Sequence, residues 1–156
     1  MIDIHIPGFK QMVLEHLVLD FNGTLACDGI LAEGVRDLLV SLSRDLEIHV
    51  VTADTHGNAA AACDGLPCRM VVLPEGEQDA AKLDYVRTLG AGRVVCIGNG
   101  RNDRLMVGEA AVGIAIIGGE GASAETVRNA DVVCRSAREA LSLLVNPRRL
   151  VATLRS

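Results

Sequence analysis

Asp20 is the residue whose type and position are best suited to chemistry. It ends the apolar run at residues 17–19 and is followed at once by Phe21, Asn22, Gly23 and Thr24. A carboxylate at the end of a buried strand can bind a cation or attack an electrophile such as phosphorus, and a Gly/Thr turn can present backbone N–H groups to a phosphate. The alternative interpretation is a strand end closed by an Asx turn with no chemical role.

Further polar groups follow three other patterned segments. Thr52 ends the apolar run at 48–51, Lys82 lies in a segment with helical spacing, and the run at 94–97 leads into the sequence GNGRND, which contains Asn99, Asn102 and Asp103. Hydroxyl and ammonium groups donate to phosphate oxygens, and carboxylate and amide oxygens bind Mg²⁺. Each group alone has an ordinary explanation, because a Lys on a helix is usually solvated and an Asn in a Gly-rich turn often caps a helix.

Strand-like and helix-like segments alternate along the chain. Apolar runs predict strands at 16–20, 48–52, 69–73, 94–97, 113–116 and 132–134, and a short hairpin at 2–6 and 12–14. Helical spacing predicts helices at 31–43, 57–63, 77–89, 103–109, 122–129 and 137–144, and one more opened by Pro147. This alternation predicts a doubly wound α/β fold with a mainly parallel sheet. Ligands of such sheets bind at the carboxyl ends of the strands, where the polar groups above are expected.

Composition and charge argue against several other classes of protein. The 156 residues predict one domain, and 49% hydrophobic residues with no Trp, one Tyr and two Phe predict an aliphatic core. A net charge of −5 argues against nucleic acid or an anionic membrane as the main partner. The longest uncharged stretch, 110–119, is too short to span a bilayer, and the N-terminus lacks the pattern of a signal peptide. Five cysteines without zinc spacing predict reduced thiols in the cytoplasm.

The sequence DFNGTLA at residues 20–26 resembles the first motif of the haloacid dehalogenase (HAD) superfamily. Thr52, Lys82 and GNGRND are similar to the later motifs of that family and follow in the same order. The resemblance implies the strand order 3-2-1-4-5-6, with the Asp20 strand in the centre. Little chain separates Asp20 from Thr52, or Thr52 from Lys82, which leaves no room for a cap domain.

The resemblance also implies roles for individual residues, with Asp20 as the nucleophile that becomes an aspartyl phosphate. Catalysis is implied for Asp20, Asn22, Thr52 and Lys82. Phosphate binding is implied for Gly23, Thr52, Lys82 and Asn102. Binding of Mg²⁺ is implied for Asp20, Asn22, Asn99 and Asp103, with Asp103 anchoring either Lys82 or the waters of the metal.

A narrower resemblance is to the soluble P-type ATPase-like branch of the superfamily. It rests on VLDFNGTLA, VVTADT, IGNGRNDRLM and the closing residues NPRRL at 146–150. This chain lacks the membrane segments and the large nucleotide-binding domain of the ion pumps, so neither ion transport by this chain alone nor ATP as a substrate is expected.

Two amides replace acids of the family pattern. Asn22 stands where HAD phosphatases carry the general acid/base, and Asn99 stands where they carry an anionic metal ligand. Asn22 cannot titrate, which predicts a slow Mg²⁺-dependent phosphatase acting on a phosphorylated small molecule or macromolecule, with a second subunit as a candidate cap. The alternative is a phosphate-binding or regulatory module without turnover. A receiver domain is excluded, because it needs an acidic pair near the end of the first strand and has no counterpart of GNGRND.

Overall fold

The computed structural model describes residues 1–53 and 57–156. The strands formed by these residues are β1 (Ile2–Ile6), β2 (Lys10–Leu14), β3 (His16–Asp20), β4 (Ala26–Cys27), β5 (Ile30–Leu31), β6 (Glu47–Thr52), β7 (Arg69–Val72), β8 (Val94–Gly98), β9 (Val112–Ile116) and β10 (Val132–Cys134). Strands β1 and β2 form the expected N-terminal antiparallel hairpin.

The helices in the described part of the chain are α1 (Val35–Leu42), α2 (Asn58–Ala62), α3 (Gln78–Leu89), α4 (Arg104–Glu109), α5 (Ala124–Asn129), α6 (Ala137–Val145) and α7 (Pro147–Leu154). Short 3₁₀ turns at Ala91–Arg93 and Arg101–Asp103 flank β8. None of these helices combines the length and the apolar character that a bilayer crossing requires.

The central sheet is parallel and has the strand order β10-β9-β8-β3-β6-β7. Counted along the chain from β3, this is the predicted order 3-2-1-4-5-6, and the doubly wound α/β fold is confirmed. Strand β3 lies between β6 and β8, which explains its nearly continuous apolar sequence, since a central parallel strand is covered on both faces. Asp20 therefore ends the most enclosed strand of the sheet.

Helices cover both faces of the sheet, and side chains alternate between two aliphatic cores. Leu17 and Leu19 belong to the larger core, which also contains buried residues of α1, α6 and α7. Val18 belongs to the smaller core, with Val86 of α3 and Met106 of α4. This alternation is the two-residue period of an extended strand.

The structure differs from the prediction between Asp20 and α1. Residues 30 and 31 pair with β4 as strand β5 instead of opening the helix predicted at 31–43. The helix begins at Val35, after Gly34 in a left-handed conformation with φ 79°. The apolar periodicity is continuous across this junction, so it does not mark the true start of the helix.

The described residues contain no inserted cap domain at either expected position. Between Asp20 and Thr52 the chain forms only the β4–β5 hairpin, α1 and β6. Between Thr52 and Lys82 the described residues form α2, β7 and the first turn of α3. Asp54 and Thr55, whose ordinary role after a strand would be to cap the next helix, lie outside the described residues.

Candidate functional site

The predicted polar segments meet at the carboxyl edge of the central strands. Asp20 is the last residue of β3, and its partner on β6 is Val51, one residue before Thr52. On the other side of β3, Leu19 pairs with Ile97, so that Gly98 and Asn99 follow at the same edge. The parallel register therefore brings together segments that are far apart in sequence.

Lys82 joins two of these segments through one buried ammonium group. Its Nζ donates to Oδ1 of Asp20 at 2.7 Å and to Oδ1 of Asp103 at 2.7 Å. The side chain is 1% exposed, so the ordinary expectation of a solvated helix lysine is wrong here. Because both carboxylates contact the same nitrogen, they lie close enough together to act in one site.

Burial and charge change the protonation equilibria of this group. Desolvation, reinforced by the negative charge of Asp103, raises the pKa of Asp20 to about 7, although Lys82 acts in the opposite direction. Burial alone would lower the pKa of Lys82, but the charges of Asp20 and Asp103 outweigh it and raise that pKa above its ordinary value. Lys82 is therefore charged at neutral pH, and Asp20 titrates near neutrality in the metal-free protein.

Asp103 fixes both the side chain of Lys82 and the loop after β8. Its Oδ2 accepts hydrogen bonds from the backbone N–H groups of Asn99 at 3.0 Å and Gly100 at 2.9 Å. Gly98 is required beside it, since a Cβ at this position would lie 2.5 Å from Cγ of Asp103. Both carboxylate oxygens of Asp103 are thus occupied by protein donors, which favours the anchoring of Lys82 over direct contact with a metal.

Thr24 links Asp20 to Asn99. Its buried hydroxyl lies 3.3 Å from Oδ2 of Asp20 and 3.2 Å from Oδ1 of Asn99. The amide nitrogen of Asn99 donates to the backbone oxygen of Gly121 at 3.1 Å, which leaves the amide oxygen facing the Thr24 hydroxyl. The sequence shows Thr24 only as part of a turn, and its bridging position depends on β8 lying beside β3.

The oxygen atoms at this edge fit Mg²⁺. The second carboxylate oxygen of Asp20 and the amide oxygen of Asn99 face the same hydroxyl, and both are hard oxygen donors. When Asp20 is ionised, two carboxylates and one ammonium leave the cluster one net negative charge. Asn99 adds no charge, and weak binding of Mg²⁺ is the expected result.

The remaining predicted residues lie around this centre and differ in their burial and hydrogen bonding. Thr52 is buried, whereas Asn22 is exposed. The N–H of Gly23 donates to the backbone oxygen of Ala26 at 2.8 Å, so in this conformation it is not available to a phosphate. The side-chain amide of Asn102 donates to Oε1 of Gln78 at 3.0 Å, at the first turn of α3.

Glu120 is a neighbour of the site that the sequence motifs do not include. A Cβ built on Gly23 would lie 2.4 Å from Oε2 of Glu120 and 2.5 Å from Nδ2 of Asn99, which places an exposed acid at the turn after the buried Asp20. Its only sequence signal is an acid in the Gly-rich segment after β9. A cavity of about 180 Å³ opens there, lined in part by Thr24, Cys27 and Arg135.

No protein-family model matches the chain. Two curated archaeal relatives, both from Methanocaldococcus jannaschii, are uncharacterized. The protein MJ0073 is 39% identical over 84 residues, which are 51% of this chain and 90% of that protein. The protein MJ0072 is 46% identical over 39 residues, which are 25% of this chain and 89% of that protein.

Several solved structures with a similar fold are phosphatases. The 3-deoxy-D-manno-octulosonate 8-phosphate phosphatase of Moraxella catarrhalis, solved with magnesium, phosphate and KDO, has a TM-score of 0.71 at 15% identity, with 91% of this chain and 94% of that chain covered. The cobalt-bound deoxy-D-mannose-octulosonate 8-phosphate phosphatase from Haemophilus influenzae has a TM-score of 0.68 at 13% identity, with 90% of this chain and 89% of that chain covered. A phosphoserine phosphatase in its apo form has a TM-score of 0.66 at 16% identity, with 83% and 98% covered. This chain therefore has the fold of the HAD superfamily.

Proposed function

We propose that this chain, which belongs to the family of the uncharacterized archaeal protein MJ0073 and has the HAD superfamily fold, is a Mg²⁺-dependent phosphohydrolase that works through an aspartyl phosphate on Asp20. The observation that carries the proposal is the buried ammonium group of Lys82, which lies 2.7 Å from both Asp20 and Asp103. A lysine is costly to bury without a partner. Here it orients one oxygen of Asp20 and supplies positive charge where a phosphate would approach.

The proposed reaction has two steps. An oxygen of Asp20 attacks phosphorus, the bond to the leaving-group oxygen breaks, and the phosphoryl group becomes an acyl phosphate on Asp20. Water then attacks this phosphorus and releases inorganic phosphate and the free carboxylate. Lys82 and the hydroxyl of Thr52 hold the phosphoryl oxygens, and the amide of Asn102 reaches them if it leaves Gln78. Mg²⁺, when held by oxygens of Asp20, Asn22 and Asn99, neutralises charge on the phosphate.

Asn22 determines the rate that we expect. The leaving group needs a proton in the first step and the attacking water must lose one in the second. The Asn22 amide can supply neither transfer, so both fall to solvent or to a group on the substrate. Loss of a positioned acid/base typically costs about 10²–10⁴ in rate, and we therefore propose slow turnover or a persistent phosphoenzyme.

A phosphate-binding or regulatory module without turnover is the alternative function. Two observations favour it. The positions of Asn22 and Asn99 carry amides where an acid would be needed, and the charge of Lys82 is already matched by two carboxylates. In such a module phosphate would bind without a covalent step.

The identity of the substrate is a broader proposal. The site has little cover, which suits a phosphorylated macromolecule or a bulky small molecule, or a second copy of the chain that acts as a cap.

Membership of the soluble P-type ATPase-like branch is a further proposal, and it rests on the sequence motifs alone. The chain is proposed to act as one domain.

The test is to incubate the purified protein with acetyl phosphate or p-nitrophenyl phosphate and Mg²⁺, and to search for a phosphoryl adduct by mass spectrometry. We expect an adduct on Asp20 that is absent in the matched variant Asp20→Asn and that disappears with hydroxylamine. Phosphate binding without an adduct or release of product would support the non-catalytic module. An adduct on another residue would contradict both proposals.

A further inference from the structure

Three metal-binding side chains meet at the opposite edge of the sheet, where the central strands begin. His16 is the first residue of β3, Glu47 is the first residue of β6, and His49 follows two positions later. His16 and Glu47 are direct partners in the parallel register. Residues two apart on a strand point to the same face, so the register places all three side chains together.

The three candidate ligand atoms form a compact triangle. Nδ1 of His16 lies 3.2 Å from Nε2 of His49, and Oε2 of Glu47 lies 3.5 Å and 3.9 Å from these two nitrogens. A tetrahedral ion with bonds of ~2.0–2.1 Å needs ligand atoms about 3.3 Å apart. Two sides of the triangle match one face of such a tetrahedron within about 0.2 Å, and the third, at 3.9 Å, is longer by about 0.6 Å.

Tyr85 of α3 supplies an outer contact. Its hydroxyl lies 2.8 Å from Nδ1 of His49, the ring nitrogen that faces away from the triangle. When Tyr85 accepts a hydrogen bond from this nitrogen, the lone pair on Nε2 of His49 is left for an ion. Orientation of a ligating histidine through its second nitrogen is typical of metal sites in proteins.

The surroundings keep His49 suited to metal binding. A ligating imidazole must be neutral, and the His49 side chain is enclosed, with 2% of it exposed. The carboxylate of Glu47 lies beside both imidazoles and adds a negative charge to the triangle. Arg69 of β7 lies at the same corner and would weaken binding of a cation, so Glu47 is needed to offset it.

The position also allows an ion to enter. The side chain of His49 is 2% exposed and that of His16 is 14% exposed, whereas Glu47 is 74% exposed and lies at the surface. A surface cleft lined by Ser43, Leu46 and Pro67 leads to Glu47 and His49. A tetrahedral ion held by these three ligands would keep a fourth position for water.

We propose that His16, Glu47 and His49 form a binding site for a divalent transition-metal ion, with Zn²⁺ as the best match, which ties β3, β6 and α3 together. Two imidazoles and one carboxylate suit Zn²⁺ better than Mg²⁺, which prefers an all-oxygen site. His16 and Asp20 lie on the same face of β3, four residues and therefore about 13 Å apart. An ion at the triangle cannot share a phosphate held at Asp20, so the two sites are separate.

The experiment measures zinc binding to the full chain after treatment with EDTA and removal of the chelator. Competition with a chromogenic chelator gives the stoichiometry and affinity, and substitution with Co²⁺ gives the visible absorption of a tetrahedral site. We expect one ion per chain, and an increase in the melting temperature with Zn²⁺ because binding to the folded state stabilises it. His16→Asn and His49→Gln should lower the affinity by more than about 100-fold, since outer-shell changes alone cost about 10–100-fold. The loss of affinity caused by Tyr85→Phe should fall within that range of about 10–100-fold.

Matched controls separate this site from others. His5→Gln removes an exposed histidine of β1, and Asp20→Asn removes the nucleophile of the proposed reaction, and both should bind Zn²⁺ as the unmodified protein does. Cys27 forms a second, fully exposed group with Asp28 and Glu120, so Cys27→Ser should also leave the affinity unchanged. If His49→Gln does not fold, His16→Asn and the exposed Glu47→Gln still decide the question. Absence of saturable binding near one ion per chain, or unchanged affinity in His16→Asn, would overturn the proposal, as would a loss of binding that follows Cys27→Ser.

Discussion

The ammonium nitrogen of Lys82 lies 2.7 Å from Oδ1 of Asp20, at the end of the central strand and below the protein surface. The contact joins α3 to β3 and orients the carboxylate that we propose as the nucleophile. Tyr85, three residues after Lys82 on the same helix, contacts His49 at the other end of the sheet. Helix α3 therefore supplies a side chain to both sites.

Asp20→Asn should abolish formation of the phosphoenzyme and any phosphatase activity, because an amide is not a nucleophile at neutral pH. The free energy of unfolding should stay the same or rise, since the substitution removes repulsion between Asp20 and Asp103 while Lys82 keeps one carboxylate. Activity assays and thermal unfolding of the two purified proteins test this. Full activity in Asp20→Asn would mean that a contaminant or another residue is responsible.

The stability of the metal-free protein should depend on pH through Asp20. The pKa of this carboxyl is about 7 in the folded protein and near 3.8 ordinarily. A raised pKa means that the folded state holds the proton more tightly. The stability that protonated Asp20 contributes is therefore fully present below about pH 4 and is lost as the pH rises through 7. Urea unfolding in EDTA should therefore show that the advantage of Asp20→Asn over the unmodified protein grows between pH 5 and pH 8. A constant difference over this range would contradict the assigned pKa.

Lys82→Met should destabilise the protein strongly at pH 8, because it leaves Asp20 and Asp103 buried without their cation. Breaking a buried ion pair by removing one partner typically costs about 3–5 kcal/mol. Adding Asp20→Asn to Lys82→Met should recover part of the loss, and denaturant unfolding of both single variants and the double variant measures the coupling. Additive effects of the two substitutions would show that the contact contributes little.

Restoring acids at the two amide positions should separate the two functional proposals. In a slow phosphatase, Asn22→Asp should raise turnover by about ten-fold or more by supplying a general acid/base, and Asn99→Asp should act mainly on the affinity for Mg²⁺. Initial rates against Mg²⁺ concentration for the unmodified protein, both single variants and the double variant test this. In a binding module neither change should produce hydrolysis. An unmodified protein that already turns over at about 10 s⁻¹, a typical enzyme rate, would show that Asn22 is no handicap.

Gly98→Ala should displace the carboxylate of Asp103, since the added methyl carbon would lie 2.5 Å from its Cγ. We expect loss of stability and a lower yield of phosphoenzyme, because Asp103 holds both Lys82 and the loop that carries Asn99. Gly92→Ala is the matched control, as its methyl group would meet no atom within 4 Å. Thermal unfolding and adduct yield of the two variants should differ clearly, and equal behaviour would mean that the loop adjusts at little cost.

The pattern of apolar and polar residues was sufficient to predict a doubly wound parallel sheet and the edge at which the polar segments collect, and the resemblance to the HAD motifs added the strand order. Apolar strands alternating with amphipathic helices admit few arrangements, and the segment containing Asp20 is apolar enough to be recognised as central. The hairpin of β4 and β5 was not predicted, since two-residue strands carry no periodicity. The roles of Asp20, Asn22, Thr52, Lys82 and the GNGRND residues stay predictions.

The tertiary structure decided which side chains touch. The burial of Lys82 depends on how α3 is rotated against the sheet, and helical spacing does not determine that rotation. The triangle of His16, Glu47 and His49 depends on the register of β3 against β6, because a shift of one residue would turn one strand's side chains to the other face. Only the alternation of Glu47 and His49 is visible locally, and their meeting with His16 is a long-range property that packing of the whole sheet selects.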